Sequence, residues 1–148
     1  MPQDAQECLN SWKKYLPDYE IKVWNESNFD VNANQYCRDA YKEKKWAFVT
    51  DYARLAILYE HGGVYFDTDV QVIRSIDPLL EHPAFMGIER ASDCCKVASG
   101  LALGSEKGNP LIKEIMDDYD AASFYRADGS IDITTCTEVF NNRRGRAN

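Results

Sequence analysis

Residues 46–70, Trp-Ala-Phe-Val-Thr-Asp-Tyr-Ala-Arg-Leu-Ala-Ile-Leu-Tyr-Glu-His-Gly-Gly-Val-Tyr-Phe-Asp-Thr-Asp-Val, constrain the fold more than any other stretch of the chain. The pattern predicts a helix over residues 47–60, stopped by the glycine pair Gly62-Gly63. Val64-Tyr65-Phe66 is then a brief apolar run that reads as a β-strand. Asp67 and Asp69 stand at its carboxyl end, where α/β sheets bind their ligands. A turn at this point lets both carboxylates converge on one hard cation, which prefers oxygen ligands.

The predicted helix is unusual in its own right. Phe48, Val49, Tyr52, Leu55, Ala56, Ile57, Leu58 and Tyr59 surround its axis almost completely, which marks a buried helix. Asp51 and Arg54 nevertheless lie three apart on one side of it. Burying ionised groups costs several kcal/mol unless they are paired or bind something. An intrahelical pair that satisfies itself is one reading. Beside an Asp-x-Asp turn, a functional site is the stronger one.

The combined pattern D-x-x-R-x-x-x-L-Y-x-x-G-G-x-Y-x-D-x-D resembles the donor-binding core of DXD glycosyltransferases. It is most similar to the sugar-binding-region family of bacterial capsular-polysaccharide and yeast mannosyl-type transferases, related to the clostridial glucosylating toxins. The resemblance extends upstream through residues 4–30 and covers the chain to about residue 115. It implies a Rossmann-like GT-A core, α/β, and a metal-dependent hexosyltransferase. Such an enzyme moves a sugar from a nucleotide-diphosphate donor to a saccharide or lipid-linked acceptor, with retention of anomeric configuration. By the same resemblance, Asp69 ligates Mn²⁺ or Mg²⁺, with Asp67 holding the metal indirectly and contacting ribose or sugar hydroxyls. Asp67 and Asp69 are thus the catalytic pair. Asp51, Arg54 and Ser99 are implied donor-sugar contacts, and Gly62 and Gly63 allow close backbone approach. Relatives carry an opening apolar strand and a closing segment that have no counterpart here, so the expectation is a core truncated at both ends. A catalytically inactive binding or structural fragment is the alternative.

Composition sets the outer limits. A chain of 148 residues suits one domain, taken as 1–148. Its net charge of −7 argues against nucleic acid as a partner, though not against a sugar nucleotide, because a bound metal supplies positive charge. The five cysteines show no metal-binding spacing and read as reduced thiols, which points to a cytoplasmic location, peripheral to the inner membrane face at most. A phosphatase-type D-x-D, with Asp117-Asp118 as a distal metal pair, is a weaker rival, because Gln71 stands where that pattern requires Thr or Val.

The remaining elements follow from periodicity. Helices are expected over 4–15, 33–45 and 110 to about 122, and strands at 20–24 and 85–89. Asp77-Pro78 starts a helical turn. Alternating strands and helices imply a mostly parallel sheet flanked by helices. Tyr65 and the three tryptophans read as packing residues, and 141–148 as a frayed polar tail. With the opening strand absent, an exposed sheet edge invites homodimerisation.

Overall fold

The computed structural model describes residues 3–91 and 94–146. Helix α1 (Gln3–Tyr15) is followed by an irregular segment, then α2 (Gln35–Lys42) and the long α3 (Trp46–His61). Strand β1 (Gly63–Tyr65) leads through a 3₁₀ turn (Asp77–Glu81) to β2 (Ala84–Met86), β3 (Ile88–Ala91), β4 (Cys94–Val97) and β5 (Leu103–Ser105). Helices α4 (Pro110–Ala121) and α5 (Cys136–Arg146) complete the described chain.

Helix α3 is the axis of the molecule. It packs against α2, α4, α5, β1 and β5. Its buried residues include Val49, Tyr52, Leu55, Ile57 and Leu58, which point in all directions around the axis, as the apolar girdle requires. Around it, Tyr36, Tyr119 and Phe124 form an aromatic cluster with edge-to-face contacts at 4.9 and 5.5 Å from Tyr36. Cys37 and Cys136 are fully buried within this core and act there as small apolar groups.

The sheet differs from the parallel order expected. β5 lies between β1 and β2 and is antiparallel to both, while β3 and β4 form a separate antiparallel pair. Parallel neighbours need a crossover, usually a helix. Among the described residues between β1 and β5 the helical structure is limited to a five-residue 3₁₀ turn, and the next α-helix, α4, comes after β5. The chain therefore returns by turns, and turns make antiparallel pairs. Gly104 sits in the middle of β5, and its missing side chain leaves the space that the Phe85 ring occupies.

Three other expectations are corrected. Residues 20–24 form no strand, because no described strand runs alongside to pair with them, and Val23 is 55% exposed. The expected strand over 85–89 is broken at Gly87 into β2 and β3. Residues 141–146 belong to helix α5 rather than to a frayed tail, and 147–148 lie outside the described residues. Asn141 ties that helix to the β3–β4 pair by accepting a hydrogen bond from the Val97 N–H at 3.2 Å. The two edge strands, β1 and β2, are three residues long. Short edges limit pairing with other chains, so the sheet gives no support to the expected edge-to-edge dimer.

Candidate active site

The site is assembled where α3 meets the end of β1. After Tyr65 the strand breaks, and the Val70 N–H bonds to the Asp67 carbonyl at 3.1 Å, closing a turn over Asp67–Val70. That turn directs both Asp67 and Asp69 into one open cleft of about 900 Å³. Asp67 is held by its backbone as well, since its N–H donates to the Gly100 carbonyl at 2.9 Å.

Arg54 is at the centre. It is 5% exposed, and its Nη2 lies 3.1 Å from Asp51 Oδ1 and 3.5 Å from Asp67 Oδ1. Its Nη1 donates to the Ser99 hydroxyl at 3.3 Å, and its Nε to the Thr50 carbonyl at 3.1 Å. Tyr65 completes the shell. Its ring lies under the guanidinium at 4.8 Å, a cation–π contact, while its hydroxyl donates to Asp67 Oδ1 at 2.8 Å. Tyr65 is thus a member of the site as well as a packing residue. Burial works against the guanidinium's charge, but Tyr65, Asp67 and Asp51 more than offset it.

Asp51 is 8% exposed, and its second oxygen accepts the Cys136 N–H at 2.8 Å, at the start of α5. Helix α5 begins with a reciprocal cap: the Thr135 N–H donates to Glu138 Oε2 at 2.7 Å and the Glu138 N–H to Thr135 Oγ1 at 3.3 Å. Asp51 adds a carboxylate at the positive end of that helix. Burial nevertheless raises the Asp51 pKa; the Cys136 N–H and Arg54 oppose this only in part. The folded state therefore binds a proton at Asp51 more readily than the unfolded chain does. Between the ordinary carboxylate pKa and the raised one, this group's contribution to stability falls as pH rises. Asp51→Asn removes that slope. Its stability relative to the parent chain should increase from pH 4 upward, measured by urea denaturation across pH; a difference that shrinks over the same range would contradict the direction of the shift.

The expected donor contacts do not all gather here. Asp51, Arg54, Asp67 and Asp69 line the cleft. Ser99 is 1% exposed and lies behind Arg54, so it acts on the guanidinium rather than on the cleft. Gly62 and Gly63 precede or begin β1, whereas the aspartates follow its far end, so neither glycine reaches the cleft. Gly62 has φ +70°, and a Cβ there would lie 2.8 Å from the Lys107 backbone nitrogen, so its role is to let α3 end against the loop after β5. Asp117 pairs with Lys113 on the exposed face of α4, and neither Asp117 nor Asp118 lines the cleft, which removes the phosphatase reading.

The structure also places in the cleft Trp46, expected only to pack, together with Glu89, Gly100, Leu101, Thr135 and Thr137. Gly100 is the most constrained of them. A Cβ there would sit 2.0 Å from Asp67 Oδ2 and 3.2 Å from Arg54 Nη1.

The cleft carries four carboxylates (Asp51, Asp67, Asp69, Glu89) against one guanidinium, Arg54. That balance opposes an anionic ligand unless positive charge is added. Asp69 is exposed at the cleft edge with no ion pair or side-chain hydrogen bond among the described residues. The donors are all oxygen, which suits a hard divalent ion. Among the described residues no cluster of three or more His, Cys, Asp or Glu side chains is preformed.

Comparison with known proteins places the same stretch in a family. Residues 2–86 match the family described as glycosyltransferase sugar-binding region containing DXD motif. The inositol phosphoceramide mannosyltransferase 3 of Schizosaccharomyces pombe is 31% identical over 108 residues, covering 68% of this chain and 28% of its own. The mannosyl phosphorylinositol ceramide synthase SUR1 of Saccharomyces cerevisiae is 34% identical over 88 residues, covering 57% and 22%. The subversion of eukaryotic traffic protein A of Legionella pneumophila is 25% identical over 97 residues, covering 47% and 15%. The chain thus spans roughly a quarter of the length of the yeast proteins it matches. These matches favour the yeast mannosyltransferase side of the resemblance, and the capsular side gains nothing from them. With more than half of the chain under that description, and its Asp-x-Asp turn placed in the cleft beside Arg54, this chain belongs to the family of glycosyltransferase sugar-binding regions containing a DXD motif.

Proposed function

We propose that this chain is the donor-binding part of a glycosyltransferase that moves a hexose from a nucleotide-diphosphate sugar to a saccharide or lipid-linked acceptor. The observation that carries the proposal is the buried Arg54 held between Asp51 and Asp67, at the floor of a cleft whose edge presents Asp69. The relatives' names point to mannose as the hexose.

Each residue then has a role. Asp51 and Arg54 orient the donor hexose through its hydroxyls, with Arg54 suited to planar, bidentate contacts. Asp67, fixed by Arg54, Tyr65 and the Gly100 carbonyl, presents its exposed oxygen to the donor. Asp69 holds a divalent cation, Mn²⁺ or Mg²⁺, with Asp67 in support. That ion, when bound, stabilises negative charge on the leaving diphosphate. Asp51 and Asp67 are both committed to Arg54, so neither is free to act as a base, in keeping with retention of configuration. Glu89 is the cleft carboxylate that an inverting reaction would use, and an inverted product identified by NMR of the anomeric proton would transfer the role to it.

Direct titration with Mn²⁺ in the presence of a panel of UDP- and GDP-sugars tests the reading. Asp69→Ala should lose the ion by tenfold or more, whereas Asp67→Ala should mainly weaken sugar-nucleotide affinity. If no nucleotide sugar binds with or without metal, the chain is a structural fragment. Unchanged metal affinity in Asp69→Ala removes its assigned role. The place of work proposed is the cytoplasmic side, peripheral to a membrane bearing the acceptor; no described helix is long and apolar enough to cross one.

A further inference from the structure

We propose that the outer end of the same cleft, built on Trp46, is an acceptor subsite that takes the ring of a neutral glycoside. This rests on the donor-binding reading above.

Trp46 is the first residue of α3 and lines the cleft, yet it is 51% exposed. Leu101, on the turn before β5, lines the same cleft and is 42% exposed. Large apolar side chains in the open are unremarkable when scattered, but these two border one concave site. The indole is also held in place, because Tyr41 packs against it edge-to-face at 5.3 Å. A fixed aromatic face is suited to the C–H-bearing face of a sugar ring, with polar atoms placed around it.

The position along the helix is equally informative. Trp46, Thr50 and Arg54 are spaced by four, so they form one stripe on the cleft side of α3. Eight residues at 1.5 Å each put Trp46 about 12 Å along the axis from Arg54. Exposure rises along that stripe, from 5% at Arg54 to 51% at Trp46. The cleft therefore runs from a charged, buried floor to an apolar, open rim. A donor hexose at the Asp51–Arg54 end leaves the rim for a second ring.

Charge selects the kind of ring. With four carboxylates against one guanidinium, a phosphate-bearing acceptor would add a second anion beside the donor diphosphate. A neutral ring avoids this. Thr137, at the start of α5, and Thr50 supply hydroxyls along the walls.

Indole N–H spectra of the ¹⁵N-labelled chain, loaded with Mg²⁺ and a nucleoside diphosphate, test the subsite. Trp46 is assigned by the signal lost in Trp46→Phe. The probes are methyl glycosides of mannose, glucose and galactose, with mannose 6-phosphate as the charged comparator. Trp24, packed against His61 and outside the cleft lining, serves as the internal control. At least one neutral glycoside should shift the Trp46 signal and bind tenfold or more weakly to Trp46→Ala, with Trp46→Phe between the two. The loss in glycoside binding should exceed any loss in nucleotide-sugar binding at least fivefold. The proposal is overturned if no methyl glycoside moves Trp46, if mannose 6-phosphate binds more tightly than the neutral sugars, or if Trp46→Ala weakens nucleotide-sugar binding as much as glycoside binding. Nucleotide-sugar binding that persists in the first two cases leaves the donor reading intact.

Discussion

Arg54→Met should destabilise the chain by about 3–5 kcal/mol, the range for removing one partner of a buried ion pair. Asp51 is 8% exposed, and without the guanidinium it keeps only the Cys136 N–H as a named partner. Against a typical total stability of about 5–15 kcal/mol, this is a large fraction. Adding Asp51→Asn in the same chain should restore much of the loss, because the stranded charge is then gone while an acceptor for the Cys136 N–H remains. Urea denaturation of the single and double variants measures both terms as a cycle. A cost below about 1 kcal/mol for Arg54→Met would place the pair in the range of solvated surface bridges and contradict its burial. Arg54→Lys should fail to substitute, since one ammonium cannot meet Asp51, Asp67 and Ser99 from a planar fork.

Gly100→Ala should have the second large effect. Its Cβ would stand 2.0 Å from Asp67 Oδ2 and 2.9 Å from Asp67 Cγ, so the carboxylate has to leave its place beside Arg54 and Tyr65. Overpacking of this kind costs about 1–3 kcal/mol. The functional consequence should exceed the structural one: nucleotide-sugar affinity falls at least tenfold while the chain remains folded, read by calorimetry and by thermal unfolding. Gly108→Ala is a suitable control, because there a Cβ meets nothing within 4 Å and the cost comes from its φ of +71° alone. Equal donor affinity in Gly100→Ala and the parent would mean that Asp67 does not need its observed position.

The legible parts of this protein are those written in local chemistry. The girdle of apolar residues from Phe48 to Tyr59 determined that α3 is buried, and Gly62 determined where it stops. The pairing of Asp51 with Arg54 follows from helical spacing, and the approach of both to Asp67 from the short glycine connection between α3 and β1. Helix α5 was legible in principle, because Thr135-Cys136-Thr137-Glu138 is a capping-box sequence. The polar run beginning at Asn141 concealed it, since most of that helix's stability comes from contacts the sequence does not display, such as Asn141 with Val97.

Tertiary structure alone decided the rest. Whether β1 pairs parallel or antiparallel depends on how the chain returns between Asp67 and Leu103, and no periodicity within a three-residue strand carries that information. The roles of Ser99 and Gly100 depend on a turn 45 residues beyond Arg54 folding back onto its guanidinium. Glu89 reaches the cleft from a segment that carries no motif, and the capping box that holds Thr135 and Thr137 does not encode which cleft they line. By itself the sequence determined the chemical groups at the centre of the site, because buried charges must sit near one another. Only the fold decided which other residues surround them, since close packing is set by distance in space rather than along the chain.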